Sequence, residues 1–268
     1  MSASYYKSKV LENECVQDNI YRLKVLYPTA RDNLNKENDG EGKPTVKLLP
    51  PKPGQFFMLR CWGKDEAPLL SRPISVNDFE KDVLTFLYEV KGIGTEKIAD
   101  LKKDDLLQLT GGCGNGFPLD KIKGKVAIVS GGIGIAPLLY LAKSLQNCTT
   151  DLFCGFRDKS YETLKFENFV NKISVATDTG NEGKKGFVTD LFDVNDYDVV
   201  VTCGPEIMME KLAKNCLKNN VTVYVSKEGK MACGIGACLG CTCKTKNGGK
   251  SVCKDGPVFE GSEVYDVD

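Results

Sequence analysis

The feature that most restricts this chain is a cysteine- and glycine-rich segment close to its C-terminal end. It reads Met231-Ala232-Cys233-Gly234-Ile235-Gly236-Ala237-Cys238-Leu239-Gly240-Cys241-Thr242-Cys243, followed by Val252-Cys253. The order C-x4-C-x2-C…C is the plant-type spacing of a [2Fe–2S] cluster. Such a centre needs four thiolates turned inward, and Gly234, Gly236 and Gly240 let the backbone wrap closely and aim N–H groups at sulfur. The candidate ligands are Cys233, Cys238, Cys241 and Cys253, with Cys243 outside the pattern. Because Cys238-x2-Cys241 is also a zinc spacing, a four-cysteine zinc knuckle stands as the alternative. The other cysteines, Cys15, Cys61, Cys113, Cys148, Cys154, Cys203 and Cys216, read as small buried apolar side chains.

A chain of 268 residues exceeds one ordinary core and suggests about two domains. Lys+Arg and Asp+Glu both number 36, so no uniformly basic field exists to hold nucleic acid. The N-terminus lacks the apolar core of a secretory signal and no apolar run is long enough to cross a bilayer, so the expectation is a cytoplasmic protein without a membrane partner. Reduced thiols rather than disulfides follow from that compartment. Histidine is absent, which removes Ser-His-Asp and Cys-His catalysis, His-ligated zinc and a Rieske centre together.

Composition divides the rest of the chain. From Tyr5 to about Leu109, short β-branched and aromatic stretches (Ile20–Tyr27, Gln55–Trp62, Arg72–Val76, Val83–Val90) alternate with Pro and Gly, as an antiparallel barrel or sandwich requires. Arg31 to Pro53 reads as a long, solvated, mobile insertion. After Gly124, apolar strands at Lys125–Ser130, Asp151–Phe156, Ile173–Thr177, Tyr197–Cys203 and Val221–Ser226 alternate with helices at Ile135–Gln146 and from Pro205 to Lys218. Uniformly apolar strands of this kind belong to a parallel sheet covered on both faces. The expected fold is therefore α+β and multidomain. It comprises an antiparallel β-barrel over 1–120, a doubly wound α/β domain over 121–226 and a small loop-rich metal module over 227–268.

Two turns mark the carboxyl edge of the α/β sheet, where ligands bind in doubly wound folds. Gly131, Gly132 and Gly134 lie between a buried strand and a helix, and Cys203, Gly204 and Pro205 follow a second buried strand. A glycine loop lets a pyrophosphate approach the helix N-terminus, although glycines at such a turn also serve packing alone. In the first domain Arg72, Pro73, Ile74 and Ser75 place a guanidinium and a hydroxyl on one strand. Leu87, Tyr88 and Glu89 follow, and Gly94 and Thr95 cap an expected helix over Glu96–Leu101. An Arg fork beside a helix start suits a diphosphate. Asp178 or Glu182 could hold a ribose hydroxyl, or be solvated loop charges.

Taken in order, these motifs resemble the ferredoxin–NADP reductase superfamily. Within it they resemble the electron-transfer subunits of NAD-dependent (class 1B) dihydroorotate dehydrogenases, over nearly the whole chain except Arg31–Pro53. The resemblance implies that Arg72, Pro73, Ile74, Ser75, Leu87, Tyr88, Glu89, Gly94 and Thr95 contact FAD, with Arg72 on its diphosphate. It also implies that the four cysteines hold the [2Fe–2S] cluster and that the nucleotide is NAD(H). It implies a partner too, an FMN-containing catalytic subunit interconverting dihydroorotate and orotate in pyrimidine biosynthesis, in a heterotetramer with two copies of each chain. A nicotinamide exchanges two electrons and an iron–sulfur cluster one, so the flavin stands between them. No proton-transfer catalyst is required of the chain. The rival readings are a reductase subunit of another complex, such as a transhydrogenase or sulfhydrogenase, and a non-enzymatic four-cysteine redox sensor.

Overall fold

The computed structural model describes residues 4–27, 49–63 and 65–265. Most of the Arg31–Pro53 insertion therefore lies outside the described residues. The first half of the chain closes into a six-stranded antiparallel barrel. Its strands are β1 (Ser4–Gln17), β2 (Ile20–Leu26), β3 (Phe56–Arg60), β4 (Arg72–Glu80), β5 (Val83–Glu89) and β6 (Leu106–Cys113), in the order β1-β2-β5-β4-β3-β6. The alternation expected of a barrel wall is plain in β6, where Leu107, Leu109 and Gly111 turn inward and the residues between them turn out, until a register shift brings Cys113 opposite Phe56 and toward the cysteine segment. Leu23, Val25, Phe57, Val76, Leu84 and Phe86 fill the interior. Gly111 makes room for one of them, since a Cβ there would stand 2.2 Å from the Phe57 ring. β1 turns along the barrel wall with two register shifts, at Val10/Glu12 and Cys15/Gln17.

Helix α1 (Ile93–Ala99) follows β5 and begins three residues before the expected Glu96. The reason is local. Thr95 does not precede the helix but sits in its first turn, and its hydroxyl accepts from the amides of Lys91 (3.0 Å) and Gly92 (3.2 Å). The capping is thus made from inside the helix by Thr95 alone, since the N-cap residue Gly92 has no side chain to return it.

The second half is built on a seven-stranded sheet. Strands β7 (Gly124–Gly131), β8 (Cys148–Phe156), β9 (Lys172–Thr177), β10 (Lys184–Lys185), β11 (Val199–Cys203) and β12 (Thr222–Ser226) run parallel, and β15 (Val258–Glu260) is antiparallel at the edge. The order is β10-β9-β8-β7-β11-β12-β15. Helices α2 (Leu138–Ser144) and α3 (Glu206–Lys218) cover opposite faces. In β7, Val126 and Ile128 pack with the leucines of α2, while Ala127 and Val129 pack with Met209, Leu212 and Ala213 of α3. Burial on both sides is why these strands read as unbroken apolar runs. The expected helix over Ile135–Gln146 is split, with a 3-10 turn at Gly132–Ile135 preceding α2.

The cysteine segment carries a small hairpin, β13 (Thr242–Thr245) with β14 (Gly248–Ser251). The chain then returns to the large sheet as β15 and ends in the short helix α4 (Gly261–Val264). The two large units are fastened to each other on the α2 side. Asn77 of β4 donates to the Ala136 carbonyl (2.8 Å), Lys143 of α2 reaches Asp78 (2.9 Å) and Glu80 (3.0 Å), and the Tyr140 hydroxyl donates to the Pro51 carbonyl (3.1 Å). Among the described residues no helix is long and apolar enough to cross a membrane.

Candidate functional site

A cleft of about 240 Å³ opens where barrel, sheet and cysteine segment meet. Its barrel wall holds Arg72, Pro73, Ile74 and Ser75 from β4, Leu87, Tyr88 and Glu89 from β5, and Thr95 from α1. Gly94 lies beneath Arg72 rather than on the wall. A Cβ there would stand 2.9 Å from Arg72 Cδ and 3.0 Å from Nε, so glycine is what allows the arginine to lie across α1. One Arg72 Nη2 donates to the Leu70 carbonyl (2.7 Å), and Nε is buried with no hydrogen-bond acceptor among the described residues. A buried guanidinium donor without an acceptor suits an anionic diphosphate that would supply one.

The opposite wall comes from the sheet edge: Ile133, Gly134, Ala136 and Pro137 after β7, and Cys203 at the end of β11. Gly131, Gly132, Gly204 and Pro205 stand behind it and do not line the cleft. The two turns touch directly. A Cβ on Gly134 would fall 2.2 Å from the Cys203 carbonyl oxygen, and one on Gly131 would fall 2.6 Å from Pro205. Gly132 has φ +54° with open space above it, so its surroundings leave room for a ligand phosphate. Burial pushes the Cys203 thiol up to about 12, with Glu228 acting in the same sense, so the group stays neutral beside any ligand.

Of the two acidic candidates for a ribose hydroxyl, Glu182 is already engaged. It accepts from the Ser160 hydroxyl and from the Ser160 amide (2.7 Å), bonds that hold its carboxyl below the usual range. Asp178 stands exposed at the carboxyl end of β9.

Sequence reasoning missed the third wall. Ser226, Lys227, Glu228, Gly229 and Met231 line the cleft immediately after β12, and Pro257 joins them before β15. The signal was available, since any residue following a parallel strand of such a sheet emerges at the ligand edge. A boundary drawn between 226 and 227 runs through this wall.

Two residues beyond Met231 the cysteine loop begins. Each of the four expected ligand sulfurs faces at least one backbone amide: Cys233 accepts from Cys238 (3.4 Å), Cys238 from Gly240 (3.4 Å), Cys241 from Cys253 (3.4 Å) and Cys253 from Gly236 (3.0 Å). Gly234 and Gly236, at φ +72° and +78°, create the curl that aims these amides. At Cys233 burial works to raise the thiol, but the amides of Ile235, Cys238 and Ala237 and the Cys238 thiol bring it down to about 6. Cys253 is pushed up to about 12 by burial and by the neighbouring Cys241 thiol. Among the described residues no three cysteine, aspartate or glutamate side chains gather closely enough to hold a single ion. Four thiols with an amide on every sulfur fit a cluster whose charge is spread over sulfur. The loop lies flat on the barrel, where a Cβ at Gly234 would be 2.6 Å from Met58 of β3.

Comparison with known proteins agrees with this geometry. Residues 228–265 match the iron-sulfur cluster binding domain of dihydroorotate dehydrogenase B. A curated relative from Clostridium acetobutylicum, a dihydroorotate dehydrogenase B (NAD(+)) electron transfer subunit, is 48% identical, with 98% of each chain covered. The protein of the same name from Clostridium perfringens is 41% identical over 98% of this chain and 99% of its own. Among solved structures, a chain of an NADH-dependent reduced ferredoxin–NADP oxidoreductase, studied for flavin-based electron bifurcation, aligns with a TM-score of 0.77 at 26% identity, covering 96% of this chain and 89% of its own. A ferredoxin NADP+ reductase from Neisseria gonorrhoeae, solved with bound FAD and NADP, shares the fold at 16% identity, with a TM-score of 0.57, covering 80% of this chain and 91% of its own. Barrel, sheet edge and cysteine loop thus come together in one chain that matches its relatives from end to end, and it belongs to the family of dihydroorotate dehydrogenase B (NAD(+)) electron transfer subunits.

Proposed function

We propose that this chain carries electrons between NAD and a partner FMN subunit that interconverts dihydroorotate and orotate, using FAD and one [2Fe–2S] cluster. The observation that carries the reading is the shared cleft. One cavity is walled by the arginine strand of the barrel, by the glycine turn of the sheet and by the segment that leads to Cys233. Bound FAD supplies the exchange between two-electron nicotinamide chemistry and one-electron iron–sulfur chemistry.

The chain's own residues bind and orient. Arg72 would offer its unpaired donor to the flavin diphosphate, and Pro73 to Ser75 of β4 with Leu87 to Glu89 of β5 would hold the rest of the flavin nucleotide from the barrel wall. The touching turns at Gly134 and Cys203 leave a surface without intruding side chains for NAD(H), and Cys233, Cys238, Cys241 and Cys253 hold the cluster. Cys238 is the exposed member of the four, and it is flanked by Ile235 and Leu239, apolar side chains 53% and 65% exposed. That apolar rim around the outermost ligand is the face on which the partner docks, in a complex with two copies of each chain.

The test is anaerobic reconstitution with flavin, iron and sulfide, followed by mixing with NADH and with the candidate partner. Flavin and iron–sulfur absorbance, their bleaching by NADH, and dihydroorotate-dependent NAD reduction in the complex are expected. A colourless protein containing one zinc would sink the reading. A coloured protein that reduces ferredoxin yet sustains no dihydroorotate turnover would favour the reductase subunit of another complex.

A further inference from the structure

The stretch joining the cleft to the cysteine loop is held by a clamp that belongs to none of the flavin, nucleotide or cluster motifs. Leaving β12, it walls the cleft from Ser226 to Met231 and reaches Cys233 two residues later. Within it the side chain of Lys227 is only 11% exposed. Its Nζ donates to Glu206 Oε1 and lies 4.6 Å from the centroid of the Tyr265 ring, while the Tyr265 hydroxyl donates to the same Oε1 at 2.9 Å. Glu206 opens α3 directly after the Cys203-Gly204-Pro205 turn, and Tyr265 follows α4. The helix α4 is in turn bound to the cluster hairpin, because its Glu263 carboxylate receives Lys250 of β14 and its Glu263 carbonyl accepts from the Lys246 amide (2.8 Å).

The helix after the nucleotide turn, the cleft wall and the residue that follows α4 therefore meet at one carboxylate oxygen, and α4 links them to the cysteine hairpin. An ammonium taken largely out of water needs such partners, and the carboxylate and the ring face together provide them. The Lys227 amide adds a bond to the Pro257 carbonyl (2.9 Å), so backbone and side chain of this residue are both pinned.

We propose that Lys227 and Tyr265, acting through Glu206, are positioning residues that fix the spacing between the flavin cleft and the cysteine loop and so set the rate at which electrons pass from one to the other. The inference rests on the function proposed above. The experiment uses the reconstituted holoprotein, mixed anaerobically with NADH in a stopped-flow instrument so that flavin reduction and cluster reduction are followed as separate phases. Lys227→Met is expected to slow the cluster phase about tenfold, and in Tyr265→Phe, whose hydroxyl lies outside the cleft lining, flavin reduction is expected to stay within about twofold of wild type. Lys227→Arg, which keeps the charge, is expected to restore most of the rate, and Tyr265→Phe, which deletes only the hydroxyl, to slow the phase by about threefold. Hydrogen exchange at residues 227–233 is expected to quicken in Lys227→Met, and the reduced-cluster EPR lines to broaden. A wild-type cluster phase in Lys227→Met, or equal slowing of both phases in Tyr265→Phe, overturns the clamp. Should Lys227→Met fail to load iron, a wild-type cluster phase in Tyr265→Phe overturns it instead. A wild-type holoprotein lacking flavin or cluster absorbance overturns both the clamp and the function on which it rests.

Discussion

Gly134 shows how little latitude single positions have at this site. Its absent side chain is replaced by the Cys203 carbonyl, 2.2 Å from where a Cβ would stand, and neither the buried 3-10 turn that holds Gly134 nor the end of β11 is free to give way. Gly134→Ala must part the two turns. The expected cost is about 1–3 kcal/mol of stability and a rise in the Michaelis constant for NADH with FAD content retained, read by thermal melts and steady-state kinetics. A similar contrast applies within the cysteine loop. Cys238→Ser should abolish the iron signal, whereas Cys243→Ser, on strand β13 and outside the set of amide-capped sulfurs, should keep iron content and spectrum. Glu182 supplies a pH dependence. Its Ser160 bonds depress the folded pKa below the ordinary 4.5, so their contribution is complete above that value and is lost as pH falls through the lower, folded one. Glu182→Gln should flatten the acid side of the melting profile below pH 4.5. At this scale the sequence was informative wherever a residue type has a narrow use. The cysteine spacing, the Arg-Pro-Ile-Ser strand and both glycine turns could be read directly, while Lys227, Glu206 and Tyr265 could not, because their meeting depends on three separate elements.

The elements themselves were legible when their pattern was local. Strands β7, β8, β9, β11 and β12 were visible as apolar runs, since both faces of that sheet are covered by α2, α3 and their neighbours. Among the strands that escaped, three did so for plainly tertiary reasons. β1 is long and mostly polar on its outer face, β6 is half glycine and threonine at its end, and the three residues of β15 have no periodicity to detect. Their partners, distant in sequence, define them. The attachment of α2 to the barrel gives a test at this level. Asn77 is 2% exposed and its amide donates to the Ala136 carbonyl within the glycine turn. Asn77→Leu would leave that carbonyl without its donor, at a cost of about 1–3 kcal/mol. For a chain of this size each kcal/mol lowers the melting temperature by about 2–4 °C.

For the molecule as a whole, the expected outline of barrel, covered sheet and cysteine segment is the observed one, and the missing part of the picture lay between the units. The apolar layer under α3 includes Phe56, Met58 and Cys113 from the barrel together with Cys241, Val252, Cys253 and Phe259 from the cysteine segment. No composition shift announces a core shared by three segments. Its thermodynamic consequence is that a bound cluster stabilises more than its own loop. Removing iron with a chelator under reducing conditions should lower the melting temperature of the entire cooperative transition, and no separate early melting of residues 228–265 should be seen by calorimetry.

The antiparallel strand β15 carries this point further. It lies downstream of all four cysteines that would ligate iron, and it covers the rim of β12 that would otherwise offer unpaired backbone groups to other chains. Synthesis therefore delivers the thiols before the piece that seals the sheet. A polypeptide stopped short of Val258 would carry every cluster ligand and still present a sticky border, so protection from self-association waits on a strand made after the last of those cysteines.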